Sequence, residues 1–473
     1  MKKKDCILYI IICLLLCILP FAGMAVCPTK TTTENKVLAA WPSTVKDGKW
    51  NKDYFNEMGS YFEDHFAFRN LLVTADADIQ SKLFKVSNVD TVTVGSEGWL
   101  YYTATLDDYL GQNVISEREA FNIANNLSLL KRYVEQQGAR FLFTIAPNKN
   151  TLYGENMPYY NKKKVSNTNN MDLLLPYLTS EETSYVDLFQ IFEAQKETLY
   201  LKRDSHWNQK GAVLAYDTLL DSLEMEHNTY ETTKAIRTKT EYGDLNKMLY
   251  PLGAKPEWNY EYQYENQYSY ITDTKSVEED WIETENDSAE GSLLMFRDSF
   301  GNTLLPLMAN AFSKGYFTKS VPYQIGSYME EYQPELVIVE KVERNVEDFA
   351  LSPPVMKGLE TEMDISSLKN VKTATTLAVN EEESDSSYWK ITGSIDRTAM
   401  NPESKISIAL TAGGETKIYE AFTVTDENSD YGYALYMPKV ELPYETVEAE
   451  IIVVTQEEMQ SVFKEEIKLG GGE

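Results

Sequence analysis

Polar and apolar positions divide the chain into unlike regimes. An apolar run at residues 7–26, broken only by Pro20 and Gly23, follows Lys2, Lys3 and Lys4. At ~1.5 Å per residue it reaches ~30 Å, the thickness of a bilayer's hydrocarbon core. The lysines set its N-terminus on the cytoplasmic side and everything after about residue 28 outside. Residues 52–84 then place Phe55, Met58, Phe62 and Phe66 at three- or four-residue spacing, which predicts helices leading away from the membrane. Glycine punctuation and aromatic density at residues 94–102 predict a strand, a turn and a strand. From there helical and buried-strand patterns alternate: helix at 118–137, strand at 141–146, helix at 171–178, strands at 185–189 and 199–201, helix at 209–223. Two further apolar strands fall at 292–296 and 336–339, with a helix at 303–312 that Pro306 starts or kinks. This alternation predicts an α/β fold, a mostly parallel sheet with helices on both faces.

Other stretches break the pattern. Residues 226–290 are polar and tyrosine-rich, an excursion from the sheet in which Tyr260, Tyr262 and Tyr264 alternate. Such tyrosines suit either a half-buried edge strand, the reading favoured here, or a face on which sugars stack. Beyond Pro353 and Pro354, residues 372–469 alternate apolar and polar positions between Gly, Asn, Asp and Pro turns. That pattern predicts an all-β sandwich. The expected organisation is a signal anchor at 1–27, a linker and membrane-proximal helices at 28–90, a catalytic domain at 91–355 and a β-sandwich accessory domain at 370–473. The accessory domain suits either a packing module or a carbohydrate-binding one.

Composition narrows the functions. All four cysteines, Cys6, Cys13, Cys17 and Cys27, lie in or beside the apolar run, so the exported part has none to pair within itself. Gly23-Met-Ala25 resembles a cleavage site, but the apolar run is long for a cleaved signal, and an uncleaved anchor is expected. Met24-Ala25-Val26 makes a poor lipoprotein signal ahead of Cys27. With only His65, His206 and His227 and no exported cysteine, no structural metal is expected, and nothing in the pattern calls for a cofactor. A formal charge of -29, from 44 basic and 73 acidic residues, argues against nucleic acid or an anionic membrane surface as partner.

The candidate chemistry is sparse. Asp204 and His206 follow the expected strand at 199–201 and precede a helix that Asn208 can cap. A strand's carboxyl end is where α/β sheets hold their sites, and positions two apart on an extended chain point the same way. Asp-x-His alone is weak, because an ordinary loop with a buried histidine gives the same letters. Ser299, in Met295-Phe-Arg-Asp-Ser-Phe-Gly301, follows a second buried strand and precedes a helix, so it can serve as nucleophile, as an N-cap, or as both. Ser299 as nucleophile, His206 as base and later acid, and Asp204 as orienting carboxylate make an acyl-transfer set. Oxyanion donors are sought in the amide of Ser299 or Phe300 and in the side chains of Asn302 and Asn148. Trp207, Lys149 and Arg297 are candidates for substrate contact. His65 and His227 read as structural or surface residues.

Several segments in register carry a family resemblance: residues 95–101 (Gly-Ser-Glu-Gly-Trp-Leu-Tyr), residues 146–153 (Ala-Pro-Asn-Lys-Asn-Thr-Leu-Tyr), Asp204-Ser-His-Trp207 with Lys210-Gly-Ala212, Gly243-Asp-Leu245, and Arg297-Asp-Ser-Phe-Gly301. Over residues 50–350 the chain resembles the SGNH-hydrolase-like proteins of the alginate O-acetyltransferase family, nearest to the Asp-His-His-Trp branch. The resemblance implies a flavodoxin-like sheet in which the Asp-x-His element precedes the serine, with Asp204, His206 and Ser299 in the triad roles. It also implies acetyl transfer to an exported polysaccharide with a multi-pass membrane acyltransferase as partner. Ser205 departs from the branch, which has a second histidine there.

The leading expectation is therefore a membrane-anchored, extracytoplasmic O-acetyltransferase acting on a cell-surface polysaccharide. A carbohydrate esterase would use the same acyl-enzyme and resolve it with water. A non-catalytic glycan-binding scaffold would use the same fold without the chemistry.

Overall fold

A computed structural model describes the chain except residues 1–2, 25, 27, 30–36, 47, 167, 231–233, 321–322, 427–428 and 470–473. Ala25 of the cleavage-like triplet, Cys27 and most of the linker at 28–36 thus lie outside the described residues. The apolar run forms helix α1 (Lys3–Met24), and Cys6–Met24 is long and apolar enough to cross a membrane. The aromatic periodicity that follows gives α2 (Tyr54–His65) and α3 (Arg69–Ile79), extended by a π-helical turn at Gln80–Phe84. The expected strand pair appears as a hairpin of Val92–Val94 and Leu100–Tyr102.

Helix α4 (Glu117–Gln136) is capped by the Ser116 hydroxyl, which accepts the Glu119 amide. It leads into β1 (Arg140–Ala146) and, after helix Asn170–Ser180, into the short β2 (Tyr185–Val186). Helix α5 (Gln209–Ser222) is capped by the Asn208 side chain, which accepts the Gly211 amide, and α6 (Asp244–Leu249) starts at Gly243. The sheet is completed by β3 (Ser269–Tyr270), β4 (Trp281–Glu285), β5 (Glu290–Phe296), β6 (Phe312–Thr318) and β7 (Leu336–Val342), with α7 (Gly301–Ala311) between β5 and β6.

Strand order is β2-β1-β7-β5-β6-β4-β3. Strands β2, β1, β7, β5 and β6 run parallel, and β4 and β3 add antiparallel. The mostly parallel sheet is as expected, with three corrections. The strand expected at 185–189 stops at Val186, and Leu188–Glu193 is a helix capped by Asp187. The apolar triplet at 199–201 is no sheet strand: Tyr200 makes an isolated antiparallel bridge to Trp207. The stretch at 226–290 is only partly an excursion. Strands Ala235–Glu241 and Glu257–Tyr262 pair apart from the sheet, but β3 and β4 belong to it. Tyr260, Tyr262 and Tyr264 are half-buried, as an edge strand requires.

Each face of the sheet buries its own core. Phe141, Phe143 and Val339 face Leu127, Leu130 and Val134 of α4, while Leu293, Met295 and Ile338 face Leu214 of α5 and Leu304 of α7. From Leu359 onward the chain is all β. Its strands follow one continuous hydrogen-bonded path rather than two separate sheets, joined through the long strand Glu415–Val424, to which Leu359–Thr361 pairs off that path. Ile391, Leu435, Ile408 and Ile451 from both halves of that path share one core.

Candidate active site

The residues around the site sit in loops that backbone hydrogen bonds hold still. The loop before α5 is closed by Asn208 N–H to Leu199 O at 2.7 Å and Leu201 N–H to His206 O at 3.3 Å. Its outer carbonyls also find donors: Lys202 O takes the Leu100 amide and Arg203 O takes the Asn246 amide. Gly243 is required here, because a Cβ at that position would lie 2.2 Å from Arg203 O.

Within this loop Asp204 accepts from every side. Its Oδ1 takes the His206 amide at 2.9 Å and His206 Nδ1 at 2.7 Å, and its Oδ2 takes the Asp244 amide at 2.8 Å. With Nδ1–H donating to Asp204, His206 Nε2 is left to accept from the Ser299 hydroxyl, 2.8 Å away. Burial by itself would push the imidazole down, but the Asp204 hydrogen bond and the charges of Asp204 and Asp244 outweigh it and hold His206 above its ordinary value. Burial likewise opposes ionisation of Asp204, yet its bonds to His206 and to the two amides hold it well below the usual carboxylate range. The Phe300 ring packs against the imidazole at 4.8 Å between centres.

Ser299 stands on a turn pinned to the neighbouring strand. Asp298 Oδ2 accepts the Val342 amide at 2.7 Å, Asp298 Oδ1 accepts the Phe300 amide at 2.8 Å, and the Asp298 amide donates to Glu340 at 3.1 Å. The Phe300 amide is therefore already committed and is no oxyanion donor. The Ser299 amide makes no hydrogen bond among the described residues. Asn148, at the end of β1, is 1% exposed, and both its side-chain polar atoms lack a hydrogen-bond partner. Since β7 alone separates β1 from β5, Asn148 and Ser299 share the carboxyl edge of the sheet. Asn302 differs: its Oδ1 accepts from Arg297 Nη1 at 2.5 Å.

The residues expected to touch substrate are placed elsewhere. Lys149 is buried, and its Nζ donates to the carbonyls of Leu201, Lys202 and Asp204 at 3.2, 3.2 and 2.5 Å. Trp207 is 1% exposed, wedged against Phe192 and Phe300, and donates to the Thr303 hydroxyl at 2.6 Å. Arg297 is buried and spans Asn302 and the Glu279 carbonyl, and burial lowers its guanidinium to about 10. All three support the loops and present no free face. His65 stacks on Tyr61, and His227 is buried with Nδ1 on Met225 O, both structural placements.

Two residues near the site escaped the sequence reading. Asp244 accepts the Ser205 amide and hydroxyl and lies 3.9 Å from His206 Nδ1, and its position right after Gly243 was the available signal. The oxygens and nitrogen of Asp204, His206 and Asp244 fall within 4.8 Å of one another, yet each of these residues has hydrogen-bond partners in the loop or in Ser299. Arg344, just after β7, lays its guanidinium over the Phe300 and Tyr102 rings at 6.0 and 5.3 Å. A cavity of about 530 Å³ opens between the π-turn and α6, lined by Arg203, Lys82, Lys85, Lys255, Asp78 and Glu97 with Tyr159 and Tyr160 at its wall; none of Asp204, His206 and Ser299 lines it.

A serine, an imidazole and a carboxylate in one hydrogen-bonded line on the carboxyl edge of an α/β sheet are the geometry of serine hydrolases and acyltransferases. Residues 92–289 match the family model described as the SGNH hydrolase-like domain of acetyltransferase AlgX, so the resemblance read from the motifs holds over that segment. The match includes Asp204 and His206 and ends before Ser299. Similar solved structures include PatB1 of Bacillus cereus, with 15% identity over 54% of this chain and 96% of that one and a TM-score of 0.43. The O-acetyltransferase domain of Pseudomonas putida AlgJ shows 15% identity over 54% and 92%, with a TM-score of 0.36. A DHHW family protein from Eubacterium siraeum shows 16% identity over 48% and 85%, with a TM-score of 0.38. No curated protein matches the chain.

Proposed function

We propose that the protein is a membrane-anchored, extracytoplasmic O-acetyltransferase that modifies a polysaccharide through an acetyl-enzyme on Ser299. The observation that carries this reading is the unbroken line from Asp204 through His206 to Ser299, at 2.7 and 2.8 Å. Ser299 Oγ attacks the acetyl carbonyl as its proton passes to His206 Nε2, and Asp204 stabilises the imidazolium. The oxyanion takes the Ser299 amide and Asn148 Nδ2, whose lack of any protein partner supports that role. His206 returns its proton to the leaving group. A sugar hydroxyl then attacks the ester with His206 as base, and Ser299 is restored.

Resolution of the same intermediate by water would make the protein an esterase. The cavity that Arg203, the sequence neighbour of Asp204, lines together with Tyr159 and Tyr160 offers a place for a sugar acceptor. The family match supports acetyl transfer. The length and apolarity of α1 support the anchor, and a multi-pass membrane protein is the proposed source of acetyl groups.

The test is incubation of the full-length protein with p-nitrophenyl acetate, with and without an oligosaccharide acceptor, beside Ser299→Ala. The expected result is an acetyl mass on the peptide holding Ser299, absent from the variant, and acetylated sugar formed at the expense of free acetate. No acetyl-enzyme and equal turnover by the variant would reject an enzyme at this site. Free acetate alone, whatever the acceptor, would select the esterase.

A further inference from the structure

Helix α3 has two faces, and only one is accounted for. On the inner face Ala77 is fully buried with Val92, Leu100, Leu245 and Leu249. The Thr74 hydroxyl takes the Leu252 amide at 3.0 Å, and the Ser81 hydroxyl pairs with Tyr250 at 2.7 Å. On the outer face Leu72, Ala75, Ile79 and Leu83 recur at helical spacing and are all exposed, Leu83 at 71%, with Phe68, Leu71 and Phe84 exposed beside them. Apolar surface of this extent on one helix marks a contact with something apolar.

The elements around it identify that partner. The Ala67 amide, just before α3, donates to Pro20 O of α1 at 3.1 Å, the Thr29 amide donates to His65 O at 3.2 Å, and Phe21 packs on Phe62 at 5.5 Å. Pro20 lies four residues before the end of α1. At ~1.5 Å per residue the contact is ~6 Å inside that end, the depth at which an interfacial helix beds its apolar face. Trp41, exposed and packed on Tyr61 and Phe62, stands at the same level, where tryptophan belongs in a membrane protein. Charge agrees: residues 37–90 carry six basic and eight acidic side chains, so the chain's -29 lies elsewhere. Asp76 and Asp78 on α3 are engaged by Asn88 and Lys82.

We propose that α3 and its π-turn lie in the headgroup region of the bilayer with Leu72, Ile79 and Leu83 turned into the lipid. This rests on the membrane-anchor reading of α1. The inner face of α3 grips α6, whose first residue Asp244 gives its amide to Asp204. The bilayer surface, α3, α6 and the catalytic loop thus follow one another in contact, with α3 and α6 about 8–10 Å apart as packed helices are, and the site is fixed above the membrane surface rather than tethered.

The test uses the full-length protein with its native cysteines replaced by serine, reconstituted in phosphatidylcholine–phosphatidylglycerol vesicles. Single cysteines at Leu72, Ile79 or Leu83 carry an environment-sensitive dye, with doxyl lipids as shallow quenchers. Leu14→Cys reports α1 and Val440→Cys reports the β region, where Val440 is 86% exposed. Quenching at the three α3 positions is expected to exceed that at Val440 by about threefold or more. Quenching at all three equal to that at Val440, with Leu14 strongly quenched, would overturn the proposal while leaving the anchor standing. Loss of quenching at Leu14 as well would overturn the anchor reading and the proposal with it.

Discussion

Replacing Lys149 by methionine separates a supporting role from a substrate contact. In the folded protein the ammonium holds the carbonyls of Leu201, Lys202 and Asp204 from beneath the catalytic loop. Burial holds it down at about 8 against an ordinary 10.5, so keeping it charged at neutral pH costs roughly 3 kcal/mol. Three hydrogen bonds from a charged donor return at least about 1.5 kcal/mol each, so losing them outweighs the relief by about 1.5 kcal/mol or more. The same carbonyls, left without a donor, let Asp204 and His206 shift, and a displacement near 1 Å costs about a hundredfold in rate. Lys149→Met should therefore unfold a few degrees earlier by calorimetry and turn over p-nitrophenyl acetate about a hundredfold more slowly, with KM within about twofold of wild type. A raised KM at unchanged kcat would refute this account and return Lys149 to the substrate.

The pH profile tests Asp244. The reaction needs neutral His206, whose value is raised, so activity falls as pH drops through a point above 6.5. Asp244→Asn removes one of the charges that raise it and should move this acidic limb to lower pH, read from kcat/KM against pH. Gly243→Ala forces a methyl into Arg203 O, and initial-rate assays should find at least about a hundredfold loss with secondary structure unchanged by circular dichroism. Asn126→Ala removes bonds to Phe349 O, Thr423 O and the Thr423 amide, which should cost about 2–4 kcal/mol and split the calorimetric transition between the α/β and β regions.

The strands buried on both faces were legible because an unbroken apolar run such as Leu336–Val339 has few other uses, and the helices because their caps and periodicity agree. The run at 199–201 misled because three apolar residues fit a strand and a buried loop equally well, and only tertiary contacts decide between them. Strand β6 was hidden by Lys314 and Gly315 inside it, and β4 by its acidic residues. Asp204, His206 and Ser299 could be picked out because each stood beside an identifiable helix start, and the structure brings them within hydrogen-bonding reach. Trp207, Lys149 and Arg297 are buried where substrate contact needs exposure, for one reason. Composition names a side chain's chemistry but not its direction, and all three turn inward. The committed Phe300 amide was equally invisible, since it depends on the rotamer of Asp298.

Helix α4 has consequences for how such a chain can change over time. Thirteen of its twenty residues are buried, because one side packs on the sheet while Arg118, Asn122, Asn125 and Asn126 hydrogen-bond to the β region. A helix with almost no solvent side has almost no neutral positions. Relatives that keep the β region should therefore vary less along α4 than along any surface helix, and relatives that have lost it should show these polar positions drifting first. The asparagines of α4 would then record, from sequence alone, whether a homologue still carries its C-terminal companion.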